Sequence, residues 1–123
     1  MGLIADGFHV APEVIALTFA AAPGRVAVTS DAVAAAGTGT TGEPLRTPDG
    51  RLAGSTAVPT RMIRVLEACG VSFVDAVRAM SVPQSSLLGL SANELRPGQR
   101  ADVTVLAEDR TVLSCWRSGE RVG

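Results

Sequence analysis

The chain opens on two apolar runs that each end abruptly in polar residues, Ile4-Ala5-Asp6-Gly7-Phe8-His9-Val10 and Val26-Ala27-Val28-Thr29-Ser30-Asp31-Ala32. Runs of this kind read as buried parallel strands whose C-terminal ends open into a site. Leu3 to Ala5 is the end of the first strand, and the β-branched density from Arg25 to Thr29 marks the second. Between them, Pro12 and Glu13 suit the first turn of a helix, and Pro23-Gly24 stops it. The inner face of that helix is expected at Val14, Leu17, Thr18 and Ala21. Strand, helix and strand with short connections make a right-handed crossover unit.

Gly37 to Gly50 is loop-like. Pro48-Asp49-Gly50 signals a turn, so a small hairpin is expected between Leu45 and Leu52. The run Gly37-Thr-Gly-Thr-Thr-Gly42 lacks the Lys-Ser/Thr pair of a phosphate loop and reads as a site rim. A helical pattern follows, with Ser55 or Thr56 as cap, Pro59 in the first turn, and Met62, Val65, Leu66 and Cys69 on one face up to Gly70. Ser72 and Asp75 resemble a capping box that opens a helix through Met80, with Val74, Val77 and Met80 inward. Pro83 begins a further short helix, stopped near Gly89. After residue 90 or so the period changes to two: Ala101 to Leu106, Val112 to Trp116 and Val122 predict a β-meander.

At 123 residues the chain is shorter than a complete eight-stranded α/β barrel, which takes about 250. A piece of a larger enzyme is therefore expected. The 46% hydrophobic but 3% aromatic composition requires an aliphatic, alanine-rich core. A net charge of −1 gives no reason to expect nucleic-acid or anionic-membrane partners. Every basic residue is arginine, which excludes a Schiff-base or carbamylated lysine from this segment. GC-rich coding is favoured over selection for guanidinium chemistry as the source of that bias. Cys69 and Cys115 have neither a disulfide-framework nor a zinc spacing, and read as small buried hydrophobes in a reducing compartment. With no signal peptide and no spanning stretch, a soluble, cytoplasmic protein is expected.

Four places carry candidate chemistry. Asp31, just past a buried strand, sits where α/β barrels keep catalytic carboxylates, and is either a proton-transfer group or a helix cap. His9, the chain's single histidine, either donates to a phosphate or sugar oxygen or bonds backbone carbonyls. Asp6 either orients the His9 ring or closes the turn at Gly7. Leu52-Ala53-Gly54-Ser55-Thr56 leads into a helix N-terminus, where free N–H groups hold an anion or carbonyl unless they serve only as a cap. Asp102 starts a strand and is expected to cap or pair at an edge. A Ser55-His9-Asp31 triad lacks the Gly-x-Ser-x-Gly elbow that would support it.

Taken together, Gly2 to Val10, Val28 to Gly37 and Leu52 to Thr56 resemble N-acetylglucosamine-6-phosphate deacetylases of the amidohydrolase superfamily. Leu95-Arg-Pro-Gly-Gln-Arg-Ala-Asp-Val-Thr-Val-Leu106 is similar to that superfamily's C-terminal signature. The resemblance implies the C-terminal fragment of a TIM (β/α)8 barrel, its last two strands and helices, over residues 1–90, and part of a small β-sandwich over 91–123. It further implies hydrolysis of the acetamide of N-acetylglucosamine 6-phosphate to glucosamine 6-phosphate and acetate, in amino-sugar catabolism. Asp31 matches the family's catalytic aspartate. Asp6, Gly7, Phe8 and His9 match one substrate-binding segment, and Leu52, Ala53 and Gly54 a second. A divalent metal ion is implied for the complete enzyme, with no ligand in this chain, because the family's metal-binding Glu and His residues lie on earlier strands.

The partners implied are the amino-sugar phosphate and the N-terminal barrel portion, within a homo-oligomeric parent. Two departures stand out: a shortened loop between Asp31 and Leu52, and Ser81-Val82-Pro83 in place of an Asn-Pro-Ala run. The lone chain is expected to be inactive and to leave sheet edges and apolar helix faces unpaired. The alternative is a non-catalytic remnant or docking subunit. A dihydroorotase-like or deaminase-like enzyme is disfavoured by Asp6-Gly7-Phe8-His9.

Overall fold

The computed structural model describes residues 1–34, 36, 44–90 and 95–123. The elements in chain order are β1 (Gly2–Ile4), α1 (Pro12–Ala21), β2 (Ala27–Thr29), α2 (Pro59–Ala68), α3 (Phe73–Ala79), α4 (Val82–Leu87), β3 (Val103–Leu106), β4 (Val112–Arg117) and β5 (Glu120–Val122). The architecture is mixed α/β. The rim expected at residues 37–42 lies outside the described residues.

β1 and β2 pair in parallel, Leu3 opposite Val28, as the crossover pattern predicts. A third extended segment joins them. Ala32 and Ser55 form a parallel bridge, Ser55 N–H donating to the Asp31 carbonyl at 2.9 Å and Val33 N–H to the Ser55 carbonyl at 3.2 Å. Sequence reading took Ser55 or Thr56 for a helix cap. Instead both are buried beside this bridge, and α2 starts later, at Pro59, with no capping side chain. The hairpin before it forms as predicted, Arg46 opposite Leu52.

The core is aliphatic. Leu3, Ala5, Val26 and Val28 from the strand segments meet Ile15 and Ala22 around α1, Met62, Ile63 and Leu66 of α2, and Ala76 and Ala79 of α3. On α2 the predicted face holds at Met62 and Leu66, with Val65 and Cys69 partly buried against the core.

Two other helix faces differ from prediction. On α1, Val14 and Leu17 are exposed and Ile15 is fully buried. That helix is apolar on nearly every side, so periodicity could not select its inner face. On α3, Val74 and Val77 are exposed while Ala76 and Ala79 are buried. Alanines at that spacing make up the surface α3 turns inward, leaving the bulkier valines outside. The α3 cap is as predicted, Ser72 Oγ accepting from Asp75 N–H at 3.1 Å.

β3, β4 and β5 form the antiparallel meander. Leu106 packs against the core, and the turn after β3 is tied to α2. Arg110 donates to both carboxylate oxygens of Glu67, the Nε contact being 2.9 Å. Its guanidinium lies 4.2 Å from the centre of the Phe73 ring. Asp102 accepts from Ser118 N–H at 2.7 Å and pairs with Arg100 at 2.8 Å, the edge role expected of it. Among the described residues no helix is long and apolar enough to cross a membrane.

Candidate active site

The site lies at the C-terminal ends of the parallel segments. Past β1, Ala5 and Asp6 are fully buried and Gly7 turns the chain at φ +89°. One carboxylate oxygen of Asp6 accepts the N–H groups of Phe8 and His9, both at 3.0 Å. The other lies 2.8 Å from His9 Nδ1. Asp6 therefore does both of the things its sequence position suggested: it closes the turn and it holds the ring.

The Ser55 hydroxyl also hydrogen-bonds Asp6. Burial pushes the Asp6 carboxyl up. The bonds from the His9 and Phe8 amides, the His9 ring and Ser55 more than offset that, so Asp6 sits below the ordinary carboxylate range. Ser55 is thus buried, bound to Asp6, and accepting from Ala57 N–H at 3.0 Å. That is the position of a structural hydroxyl and not of a nucleophile, in keeping with the missing elbow.

Asp31 follows β2 with a left-handed backbone at φ +51°. Its side chain is half exposed, and its Oδ2 lies 4.0 Å from His9 Nε2. The third segment shapes this corner. Gly54 has φ +93°, and a Cβ there would stand 2.5 Å from Val33 Cγ1, 3.0 Å from the Asp31 carbonyl and 3.6 Å from Asp31 Oδ2. The positive φ and the close approach to Val33 and the Asp31 carbonyl leave room only for glycine. Leu52 and Ala53 are half-buried just before it, Ala53 N–H donating to the Leu45 carbonyl at 2.8 Å.

Sequence reasoning missed two neighbours. Ser55, which the local pattern marks as a cap or triad member, is a partner of Asp6. Arg61, in the first turns of α2, donates Nε–H to the Asp6 carbonyl at 3.2 Å and lies 5.0 Å from the centre of the half-exposed Phe8 ring. No local signal marks a pairing across 55 positions.

A divalent metal does not fit the donors of the described residues alone. His9 has one ring nitrogen committed to Asp6, and among the described residues no three His, Cys, Asp or Glu side chains converge. A catalytic metal usually takes about three protein ligands.

No protein-family model matches the chain. It is 32% identical over 133 residues to a putative N-acetylgalactosamine-6-phosphate deacetylase of Escherichia coli K12, covering 96% of this chain and 80% of that protein. The N-acetylgalactosamine-6-phosphate deacetylase of E. coli O157:H7 is also 32% identical, but the match fills only 35% of it. The bovine N-acetylglucosamine-6-phosphate deacetylase is 34% identical over 137 residues, 98% of this chain and 34% of that protein. The chain thus spans about a third of the longer relatives.

Among solved structures, the N-acetyl-D-glucosamine-6-phosphate deacetylase of Mycobacterium smegmatis superposes with a TM-score of 0.83 at 31% identity, over 99% of this chain and 37% of that one. The Thermotoga maritima N-acetylglucosamine-6-phosphate deacetylase gives 0.86 at 26% identity, over 98% and 37%. With about a third of its residues shared over four fifths of the K12 relative, the chain belongs to the family of amino-sugar-6-phosphate deacetylases that these N-acetylgalactosamine and N-acetylglucosamine enzymes represent.

Proposed function

We propose that this chain is the C-terminal part of an N-acetylglucosamine-6-phosphate deacetylase, with residues 1–90 completing a (β/α)8 barrel and 91–123 completing a small β-sandwich. The observation that carries the reading is the convergence of Asp31 and His9 at the ends of adjacent parallel strands, with Gly54 leaving room beside them. In this reading Asp31 is general base and then general acid. It takes a proton from the attacking water as that oxygen bonds to the acetamide carbon. It then gives the proton to the nitrogen as the C–N bond breaks, releasing acetate and glucosamine 6-phosphate. His9 meets the sugar or its phosphate, Gly7 and Phe8 line the same wall, and Leu52, Ala53 and Gly54 contact the substrate from the third segment.

The metal of the complete enzyme is held by residues outside this chain. The exposed Val14 and Leu17 of α1 and Val74 and Val77 of α3 support a larger assembly, since apolar helix faces left open to solvent favour association.

The test is a hybrid in which this chain replaces the corresponding third of the M. smegmatis enzyme, with acetate release as readout. The hybrid is expected to turn over N-acetylglucosamine 6-phosphate, and Asp31→Asn to lower kcat by roughly 10²–10⁴. An Asp31→Asn hybrid as active as its parent would overturn the assignment. Turnover by the isolated chain would overturn the fragment reading. A folded but inactive hybrid would favour a non-catalytic remnant or docking role. A second substrate reading, the C4 epimer N-acetylgalactosamine 6-phosphate, is favoured by the names of the two E. coli relatives. Assaying both sugars in the same hybrid separates them.

A further inference from the structure

Asp6 is the candidate whose carboxylate does not reach the site opening: it is fully buried, and its contacts are with the chain itself. We infer that Asp6, steadied by Ser55, is a positioning residue that locks His9 in the tautomer protonated at Nδ1 and so presents a bare Nε2 beside Asp31. The inference rests on reading His9 and Asp31 as the substrate-facing pair.

An ionised carboxylate only accepts hydrogen bonds. At 2.8 Å from Oδ2, His9 Nδ1 is therefore the donor, and in the neutral ring the lone pair belongs to Nε2. The second Asp6 oxygen is fixed by two backbone N–H groups, so the carboxylate cannot swing away to let the ring choose. Arg61 on the Asp6 carbonyl holds the same residue from α2.

The consequence falls on the 4.0 Å space between His9 Nε2 and Asp31 Oδ2. With the ring neutral, both atoms are acceptors there, and they are too far apart to bond directly. The space accordingly selects a hydrogen-bond donor from the ligand, a hydroxyl or an amide N–H that meets both atoms, and so narrows the partner of His9 from the sugar or its phosphate to the sugar's own donors. The opposite tautomer would point an N–H at Asp31 and make His9 compete with the ligand for that carboxylate. Asp6 thus decides whether the wall opposite Asp31 accepts or donates.

His9 is the chain's single histidine, so nitrogen-resolved NMR of the 123-residue chain reports one imidazole. The neutral ring is expected to carry its proton on Nδ1. In Asp6→Asn the side-chain oxygen stays with the Phe8 and His9 amides, so the NH2 group faces Nδ1. The tautomer is then expected to invert, as replacing an orienting Asp by Asn does in catalytic triads. Ser55→Ala is expected to keep the tautomer and speed exchange of the ring proton with water.

A bare Nδ1 in the wild-type ring would overturn the inference. So would an unchanged tautomer in an Asp6→Asn chain that keeps its amide dispersion. If Asp6→Asn does not fold, the wild-type ring alone decides. The two readings fail separately, because loss of the Asp31 assignment would leave these nitrogen signals untouched and a bare Nδ1 would leave Asp31's role standing.

Discussion

The parallel region and the antiparallel sheet are held together by different forces. Among the described residues every buried hydrophobic side chain lies between Leu3 and Ala79, and β3, β4 and β5 contribute none. Among the described residues the parallel region has three short extended segments, yet helices cover them well enough to enclose Ile15 and Leu66 completely. The meander has the longest strand and the more extensive ladder, with one register shift between Val105 and Leu106, but it meets the rest through Leu106, Arg110 and the Asp109 carbonyl, which accepts from Arg64 Nε at 3.0 Å. Backbone pairing gives a sheet its shape, while burial decides which part resists unfolding. All the candidate site residues belong to the region with the core.

The largest expected effect tests that contrast directly. Leu66→Ala removes a fully buried side chain from the core and should cost about 2–5 kcal/mol. Leu113→Ala on β4, where the side chain is 59% exposed, should change stability by less than about 0.5 kcal/mol. Urea unfolding of the two variants measures the difference, and equal losses would break the comparison.

Gly54→Ala comes next. It adds strain of about 1–3 kcal/mol for a positive φ and an overpacking cost of the same order, about 1–3 kcal/mol, because Val33 Cγ1 or the Asp31 carbonyl must move. A shift of the Asp31 carbonyl carries its carboxylate with it, so the hybrid enzyme should also lose activity. A stable Gly54→Ala protein with normal turnover would show that this corner is not tightly packed.

A smaller effect, confined to acid, is expected at Asp6. Its folded value lies below the ordinary 3.8, so the contribution to stability is present above the unfolded value and is lost as pH falls through the folded one. Between about pH 5 and about pH 2 the wild type should therefore lose more stability than Asp6→Asn does. Glu67, Asp102 and Asp109 also sit below their ordinary values and contribute to both proteins alike, so the difference between the two melting curves isolates Asp6. Parallel curves would mean that the buried carboxylate is not favoured in its ionised form.

What was legible in the sequence follows the reach of each signal. The strand-to-turn motifs at Asp6 and Asp31, the Leu45–Leu52 hairpin, the Ser72 cap and the meander rest on neighbours a few positions apart. The link of Asp6 to His9 is of that kind, three residues along one turn. The inner faces of α1 and α3 were not legible, since one helix is apolar on nearly all sides and the other turns alanines inward. The third parallel segment escaped notice because a single bridge at Ser55 leaves no period to detect. The links of Ser55 and Arg61 to Asp6 join distant parts of the chain, and only the fold brings them together.

The smallest effect sharpens the comparison from the side of the sheet. Arg110 occupies both Glu67 oxygens and lies over the Phe73 ring. The same hydrogen bonds, with the positive charge behind them, hold Glu67 below its ordinary range. Arg110→Ala removes the charged link and the ring contact together, yet leaves the Arg64 bond to the Asp109 carbonyl and the packing of Leu106. Because the pair lies near the surface, where ion pairs contribute little, the unfolding midpoint of the parallel region should stay at the wild-type value. Amide exchange in β3, β4 and β5 should quicken, while the amides of Phe8 and His9, bound to Asp6, should keep their protection. Faster exchange at those two amides would mean that the sheet helps to hold the site, and that the two regions unfold as one.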